Sequence, residues 1–220
     1  MLLSMNVIEL FSSIDGEGKR QGFLTTFLRL HDCNIRCSYC DTLYSYGPES
    51  TFESMSVQAV ADVIEQLENH RITITGGEPL LQEPAVIELI DELTRRNPRY
   101  DFNIETNGTI IPSFHRDNVW FTYDYKTPSS LAEEAMNLDI FKVATPADII
   151  KFVVGSMQDL DRMDEILKTY PTDAQIFVSP VWGNIEGATI IEYMKAHNWQ
   201  NVRFQLQIHK FIWDPDAKGV

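Results

Sequence analysis

The stretch Phe23-Leu24-Thr25-Thr26-Phe27-Leu28-Arg29-Leu30, running through His31 and Asp32 into Cys33-Asn34-Ile35-Arg36-Cys37-Ser38-Tyr39-Cys40, decides how the rest of the chain is read. Its first part is rich in Phe, Leu and Thr and has the length of a buried strand. The cysteines follow directly, so they sit on a loop at the carboxyl end of that strand.

Working outward, Asn6 to Phe11 is a short apolar segment on the amino-terminal side. On the other side Val57, Val60, Ala61, Ile64 and Leu67 recur at helical spacing behind Ser56 as N-cap, and Arg71 to Thr75 then alternates like a strand. Pro84 suits the first turn of a helix carrying Val86, Ile87, Ile90 and Leu93, and Asp101 to Glu105 reads as the next strand. Val119 to Tyr123 and Ile150 to Val154 predict two more. Ser156 caps a helix with Leu160, Met163, Ile166 and Leu167 on one face, Ala174 to Ser179 is a strand, Ala188 to His197 is helical, and Val202 to Ile208 alternates again. Asp41 to Met55, with Gly47-Pro48, is expected to be a loop or a very short helix, and Thr127 to Thr145 to hold short helices or a crossing loop. Asp214-Pro215-Asp216 reads as a turn.

Repeated strand and helix units predict an α/β fold with a parallel sheet and outer helices. The expectation is an incomplete TIM-type barrel of about six β/α units rather than a closed one. In such a sheet the chemistry gathers on loops at the carboxyl ends of strands. One domain over residues 1–220 is expected, since no Pro/Gly/Ser-rich or charged linker divides the chain.

Composition narrows the partners. A net charge of -14 argues against extended binding of nucleic acid and favours a small-molecule substrate. No run reaches the roughly 20 apolar residues needed to span a bilayer. Met1 to Phe11 carries Glu9 and no basic leader, so a cytoplasmic protein without a membrane segment is expected. All three cysteines lie between positions 33 and 40, the wrong distribution for disulfides that staple distant segments. Their grouping points to a metal.

The C-x3-C-x2-C spacing lets three thiolates from one loop reach three corners of one cubane cluster. No fourth cysteine exists in the chain, so the fourth iron takes an outside ligand, and a free amino acid amine and carboxylate can chelate it. A structural zinc site with His31 as fourth ligand and three incidental buried thiols are the bland alternatives. A second stretch, Thr75-Gly76-Gly77-Glu78-Pro79, follows a strand; its glycines allow backbone to approach a ligand closely and Glu78 offers a carboxylate. Alone it reads first as a turn before a helix; after the cysteine loop and at a strand end the ligand reading is favoured.

Together these residues resemble the radical S-adenosylmethionine (radical SAM) superfamily, whose cluster loop is C-x3-C-x-φ-C with an aromatic φ, here Tyr39, and whose GGE motif is matched by Gly76-Gly77-Glu78. Within it the chain, from Val7 to its last residue, resembles the 7-carboxy-7-deazaguanine synthases of queuosine and deazapurine biosynthesis. The resemblance is carried by Ile14-Asp15-Gly16-Glu17-Gly18, Phe27-Leu28-Arg29-Leu30, Cys40-Asp41-Thr42, Thr75 to Gln82 and Glu105-Thr106-Asn107-Gly108-Thr109.

The resemblance implies a lyase that contracts the ring of 6-carboxy-5,6,7,8-tetrahydropterin to 7-carboxy-7-deazaguanine with loss of ammonia. It implies a 4Fe-4S cluster on Cys33, Cys37 and Cys40, S-adenosylmethionine, Mg²⁺, reduced flavodoxin or ferredoxin as electron donor, and a homodimer. An electron entering the cluster cleaves the sulfonium, and the resulting deoxyadenosyl radical abstracts hydrogen beside the substrate carboxylate. Thr42 is placed on Mg²⁺, with a capping role as the alternative. Arg29 is placed on the substrate carboxylate; Ile14, Asp15, Gly16, Glu17 and Thr75 on the pterin; and Val220 beside the substrate, with the C-terminal tail closing the site. Tyr39, Gly77, Glu78, Ser179 and the segment Asp124-Tyr125-Lys126 are implied cofactor contacts. The family more often has Ser-Pro-Lys at that segment, so Asp124 and Tyr125 are departures in side chain, which leaves contacts through the backbone as the alternative. Glu105 is either a ribose or amine contact or a structural acceptor. The rivals are a glycyl-radical activating enzyme, which acts on a protein backbone and which Ile14 to Gly18 and Arg29 speak against, and a non-catalytic zinc-binding module.

Overall fold

The computed structural model describes residues 3–215 and 217–220; Asp216, part of the expected turn, lies outside them. The strands are β1 (Ser4–Ile14), β2 (Leu24–Leu30), β3 (Glu53–Ser56), β4 (Arg71–Gly76), β5 (Asp101–Thr106), β6 (Val119–Lys126), β7 (Ile149–Val154), β8 (Gln175–Pro180) and β9 (Val202–Phe204). They form one sheet in the order β3-β1-β2-β4-β5-β6-β7-β8-β9. From β2 to β9 every pairing is parallel, whereas β1 runs antiparallel to both β2 and β3. Among the described residues no pairing joins β9 to β3, so the barrel is open, as expected.

The helices are α1 (Val57–Gln66), α2 (Glu83–Arg96), α3 (Ile140–Val143), α4 (Met157–Thr169), α5 (Gly187–Ala196) and α6 (His209–Ile212). Ser56 caps α1 by accepting from the Ala59 amide at 3.2 Å. Ser156 caps α4 in a reciprocal box with Asp159, which satisfies two amide donors that a helix start leaves open. Among the described residues no helix is long and apolar enough to cross a membrane.

Strand alternation divides the sheet into two chemically different faces. In β6, Val119, Phe121, Tyr123 and Tyr125 join the hydrophobic core under the helices, together with Ile72, Ile74, Phe102, Ile104, Ile150, Phe152, Ile176 and Val178. The alternate residues, Thr75, Glu105, Thr122, Asp124, Lys126 and Lys151, face the other way and line a cavity. The apolar half of each strand builds the fold and the polar half builds the site.

Three expectations need correction. The apolar Asn6 to Phe11 segment is the middle of an eleven-residue strand. A short strand, β3, stands where only a loop or short helix was expected, beyond a single 3-10 turn at Leu43–Ser45. The alternating Val202 to Ile208 pairs as strand only as far as Phe204: the Gln205 amide still donates to the Val178 carbonyl of β8 at 2.9 Å, and beyond it the chain turns to the segment after β1. Gln205 brackets Gly18 with two hydrogen bonds of 2.8 Å, and the Ile208 amide donates to the Gly16 carbonyl at 3.0 Å.

Candidate functional site

A cavity of about 760 Å³ opens inside the sheet, with Cys33, Cys37 and Cys40 on its wall. The turn after β4 fixes the start of the cysteine loop. The Glu78 amide donates to the Asp32 carbonyl at 2.8 Å and the Gly77 amide to the Leu30 carbonyl at 3.2 Å. A Cβ on Gly77 would lie 2.0 Å from the Asp32 oxygen and 2.7 Å from Cys33 Cβ. Glycine is therefore required so that one backbone can lie against the other. Further along, the Ser38 amide donates to the Ser130 carbonyl at 2.9 Å, which ties the middle of the loop to the segment after β6.

The three thiols fit an iron–sulfur cluster. All are free and half-buried on one short loop, and burial pushes the Cys37 thiol up to about 11, opposed by Lys126, so its thiolate needs a cation beside it. Among the described residues no three His, Cys, Asp or Glu side chains converge as one metal ion requires. Thiolates that each hold a different iron of a cubane need not converge in that way. His31, the fourth ligand of the zinc alternative, packs at a tilt against Phe52, 4.3 Å between ring centres, and is not part of the cavity wall.

Glu78 does not stand where the sequence placed it. Its carboxylate is fully buried behind the wall, accepting from Leu80 N at 2.9 Å, Thr106 Oγ1 at 2.9 Å and Asn107 N at 2.7 Å. It clamps the ends of β4 and β5 together, while Gly77 beside it lines the cavity. Asn107, which the motif contained but was given no role, donates to Asn34 Oδ1 at 2.8 Å and lies 3.6 Å from Cys33 Sγ.

Tyr125 is a second correction. Alternation in β6 sends its ring to the helix side, against Phe152 and Phe141, with its hydroxyl donating to Glu133 at 3.0 Å. Its neighbours Asp124 and Lys126 face the cavity and pair at 2.8 Å. Ser179 is buried on β8, opposite Val153 in the register, with an unpartnered Oγ; it stands outside the cavity lining. Tyr39 lines the cavity, its hydroxyl donating to the Val153 carbonyl at 3.4 Å.

Lys151, to which the sequence reading gave no role, joins the two halves of the wall. It pairs with Glu17 at 2.7 Å and lies 3.9 Å from Asp124. Its signal was a lone lysine in the apolar run Ile149-Ile150-Lys151-Phe152, since a charge in a buried strand is rarely idle. Glu17 Oε2 and Asp124 Oδ1 are buried without partners, so two acceptors stand ready for ligand donors. Glu105 lies in the same wall, pushed up to about 7 by burial against the pull of Lys151, with Glu17 and Asp15 adding to the rise.

Ile14, Gly16 and Thr75 line the cavity as well. Asp15 lines it too, with its Oδ2 accepting from Arg20 Nε at 3.2 Å and from Thr73 Oγ1 at 3.4 Å. Arg29 lines the cavity and donates through Nε to Glu9 at 2.6 Å. Thr42 lines it too, with Oγ1 3.6 Å from Cys40 Sγ; it precedes the 3-10 turn but makes no capping bond, which removes the capping alternative. The C-terminal segment borders the cavity, with Lys210 on Asp41 at 3.2 Å, Lys218 over the Tyr44 ring at 4.2 Å, and Gly219 and Val220 in the wall.

The family model described as the radical SAM superfamily matches residues 29–153. A 7-carboxy-7-deazaguanine synthase of Clostridium acetobutylicum is 36% identical over 99% of this chain and 100% of its own length. One from Methanospirillum hungatei JF-1 is 38% identical over 96% of this chain and 86% of its own. The crystal structure of QueE from Escherichia coli superposes with a TM-score of 0.70 at 23% identity, covering 92% of this chain and 93% of that one; it shares the fold.

Proposed function

The chain belongs to the radical SAM superfamily and, within it, to the 7-carboxy-7-deazaguanine synthases, and from that membership we propose that it contracts 6-carboxy-5,6,7,8-tetrahydropterin to 7-carboxy-7-deazaguanine with loss of ammonia. The observation that carries this reading is one cavity lined at once by the three cysteines, by Arg29 and by the unpartnered acceptors of Glu17 and Asp124. When bound, the 4Fe-4S cluster and S-adenosylmethionine supply one-electron radical chemistry.

The chain's own work is holding and excluding. Cys33, Cys37 and Cys40 hold the cluster and leave one iron for the cofactor. Gly77, Tyr39, Asp124 and Lys126 border the cofactor, with Glu78 supporting that wall from behind and Ser179 on the same sheet face as its register partner Val153. Arg29 meets the substrate carboxylate as a charge-assisted partner. Ile14, Asp15, Gly16, Glu17 and Thr75 surround the pterin, and Glu105, in the same wall, meets the ribose or amine of the cofactor. Thr42 presents a hydroxyl to Mg²⁺, a hard cation that takes oxygen ligands and keeps waters or the substrate carboxylate. The segment ending at Val220 closes the mouth, which suits a small molecule better than the protein backbone that a glycyl-radical activating enzyme must admit. The remaining parts of the proposal are a single domain, a cytoplasmic homodimer, and reduced flavodoxin or ferredoxin as electron donor.

Anaerobic reconstitution followed by assay with 6-carboxytetrahydropterin tests the proposal. Product formation with a full complement of iron and acid-labile sulfide is expected. Cofactor cleavage without deazaguanine product would reject the substrate, and stoichiometric zinc with no cluster after reconstitution would reject the chemistry.

A further inference from the structure

The pairing of β1 with β2 is regular except at one place. Val7 stands opposite Leu30, but Glu9, not Ile8, stands opposite Arg29, so the register shifts by one residue. The extra residue changes which face the strand presents. Before it, Met5 and Val7 are buried under the helices; after it that layer receives Leu10, while Phe11 enters the cavity wall, stacked on Phe27 at 5.3 Å. Unbroken alternation would set Ile8 against Arg29 and turn Glu9 toward the helices.

The shift places a carboxylate between two members of the cavity wall. Glu9 Oε1 accepts from Arg29 Nε at 2.6 Å and from the Tyr44 hydroxyl at 2.7 Å. Arg29 and Tyr44 line the cavity, whereas Glu9 does not. With Nε held by Glu9, the terminal nitrogens of Arg29 are the ones that can pair with a carboxylate in the cavity, and a fixed guanidinium plane makes that pairing directional.

We propose that Glu9 is a positioning residue for an anionic substrate: it fixes the plane of the Arg29 guanidinium and ties it through Tyr44 to the loop that follows the cysteines. This rests on the pterin carboxylate assigned above and adds a residue that touches no substrate. The register shift places the side chain, and the side chain then joins loop and arginine.

Steady-state kinetics of the reconstituted holoenzyme, with equilibrium dialysis of 6-carboxytetrahydropterin, test it. Glu9→Ala should raise the pterin KM and Kd about tenfold or more, leave kcat within about threefold and leave the cofactor KM unchanged. Glu9→Gln, which keeps an oxygen acceptor, should recover most of the loss. Glu9→Ala/Arg29→Ala should bind pterin no more weakly than Arg29→Ala alone, because Glu9 acts through Arg29. If Glu9→Ala does not fold, Glu9→Met, of similar length and without an acceptor, carries the same cycle. Additive losses in the double variant, or unchanged pterin binding in Glu9→Ala while Arg29→Ala loses it, would overturn the proposal alone. A wild-type enzyme that binds no pterin would overturn it together with the substrate reading.

Discussion

A Cβ placed on Gly16 would lie 1.9 Å from Nδ1 of His209, so the turn after β1 and the first residue of α6 share a space that only glycine leaves open. Beside that contact the Ile208 amide donates to the Gly16 carbonyl. The closing segment of the chain is therefore seated on the same turn whose neighbour Glu17 holds Lys151.

Gly16→Ala is expected to push the His209 ring aside and lift the C-terminal segment, with an overpacking cost of about 1–3 kcal/mol if the segment stays in place. Trypsin should then cut faster at Lys210 and Lys218, which are held on Asp41 and on the Tyr44 ring, and the substrate KM should rise. Adding His209→Ala should restore protease resistance. A cleavage rate equal to wild type in Gly16→Ala would show that the seat is not tight.

Glu105 gives a pH dependence whose sign follows from its surroundings. Burial, with Glu17 and Asp15 nearby, raises it from 4.5 to about 7 against the effect of Lys151. A carboxyl raised on folding contributes stability that is fully present below its ordinary value and lost as the pH rises through the folded one. In ligand-free protein, the Tm of Glu105→Gln relative to wild type should thus improve as the pH rises from about 4.5 to about 7. A difference that stays flat over that window, measured by calorimetry, would show that Lys151 fully compensates the charge.

Thr42 is tested by metal titration. Thr42→Ala should weaken the stimulation of turnover by Mg²⁺ while leaving iron and sulfide content near wild type, since its hydroxyl lines the cavity without a capping bond. Unchanged magnesium dependence in the variant would remove the threonine from the cation site.

Much of the fold was legible because its signals are local. Ser56 and Ser156 announced the starts of α1 and α4, and apolar residues at helical or alternating spacing marked most of the parallel strands. Strand β3 was missed because Glu53-Ser54-Met55-Ser56 has neither apolar alternation nor β-rich composition; its pairing comes from the neighbouring β1. In the site, Glu78 and Tyr125 were given ligand roles because they sit inside motifs, yet one carboxylate turns into a clamp and one ring follows the strand's pleat to the helix side. Lys151 and Glu9 went without roles because each lies outside the cysteine and glycine motifs.

The sequence by itself determined the chemistry that this protein carries: three thiolates at one spacing, a Gly-Gly turn after a strand, and a β/α rhythm that brings strand ends together. Those features are local in the chain and need no knowledge of what lies across the sheet. Only the tertiary structure decided which residues face the cavity, because facing depends on register, and one extra residue between Val7 and Glu9 turns over the part of β1 that follows it. It also decided how the cysteine loop is held, since the contact between Gly77 and Asp32 and the one between Gly16 and His209 join parts of the chain that no local pattern relates.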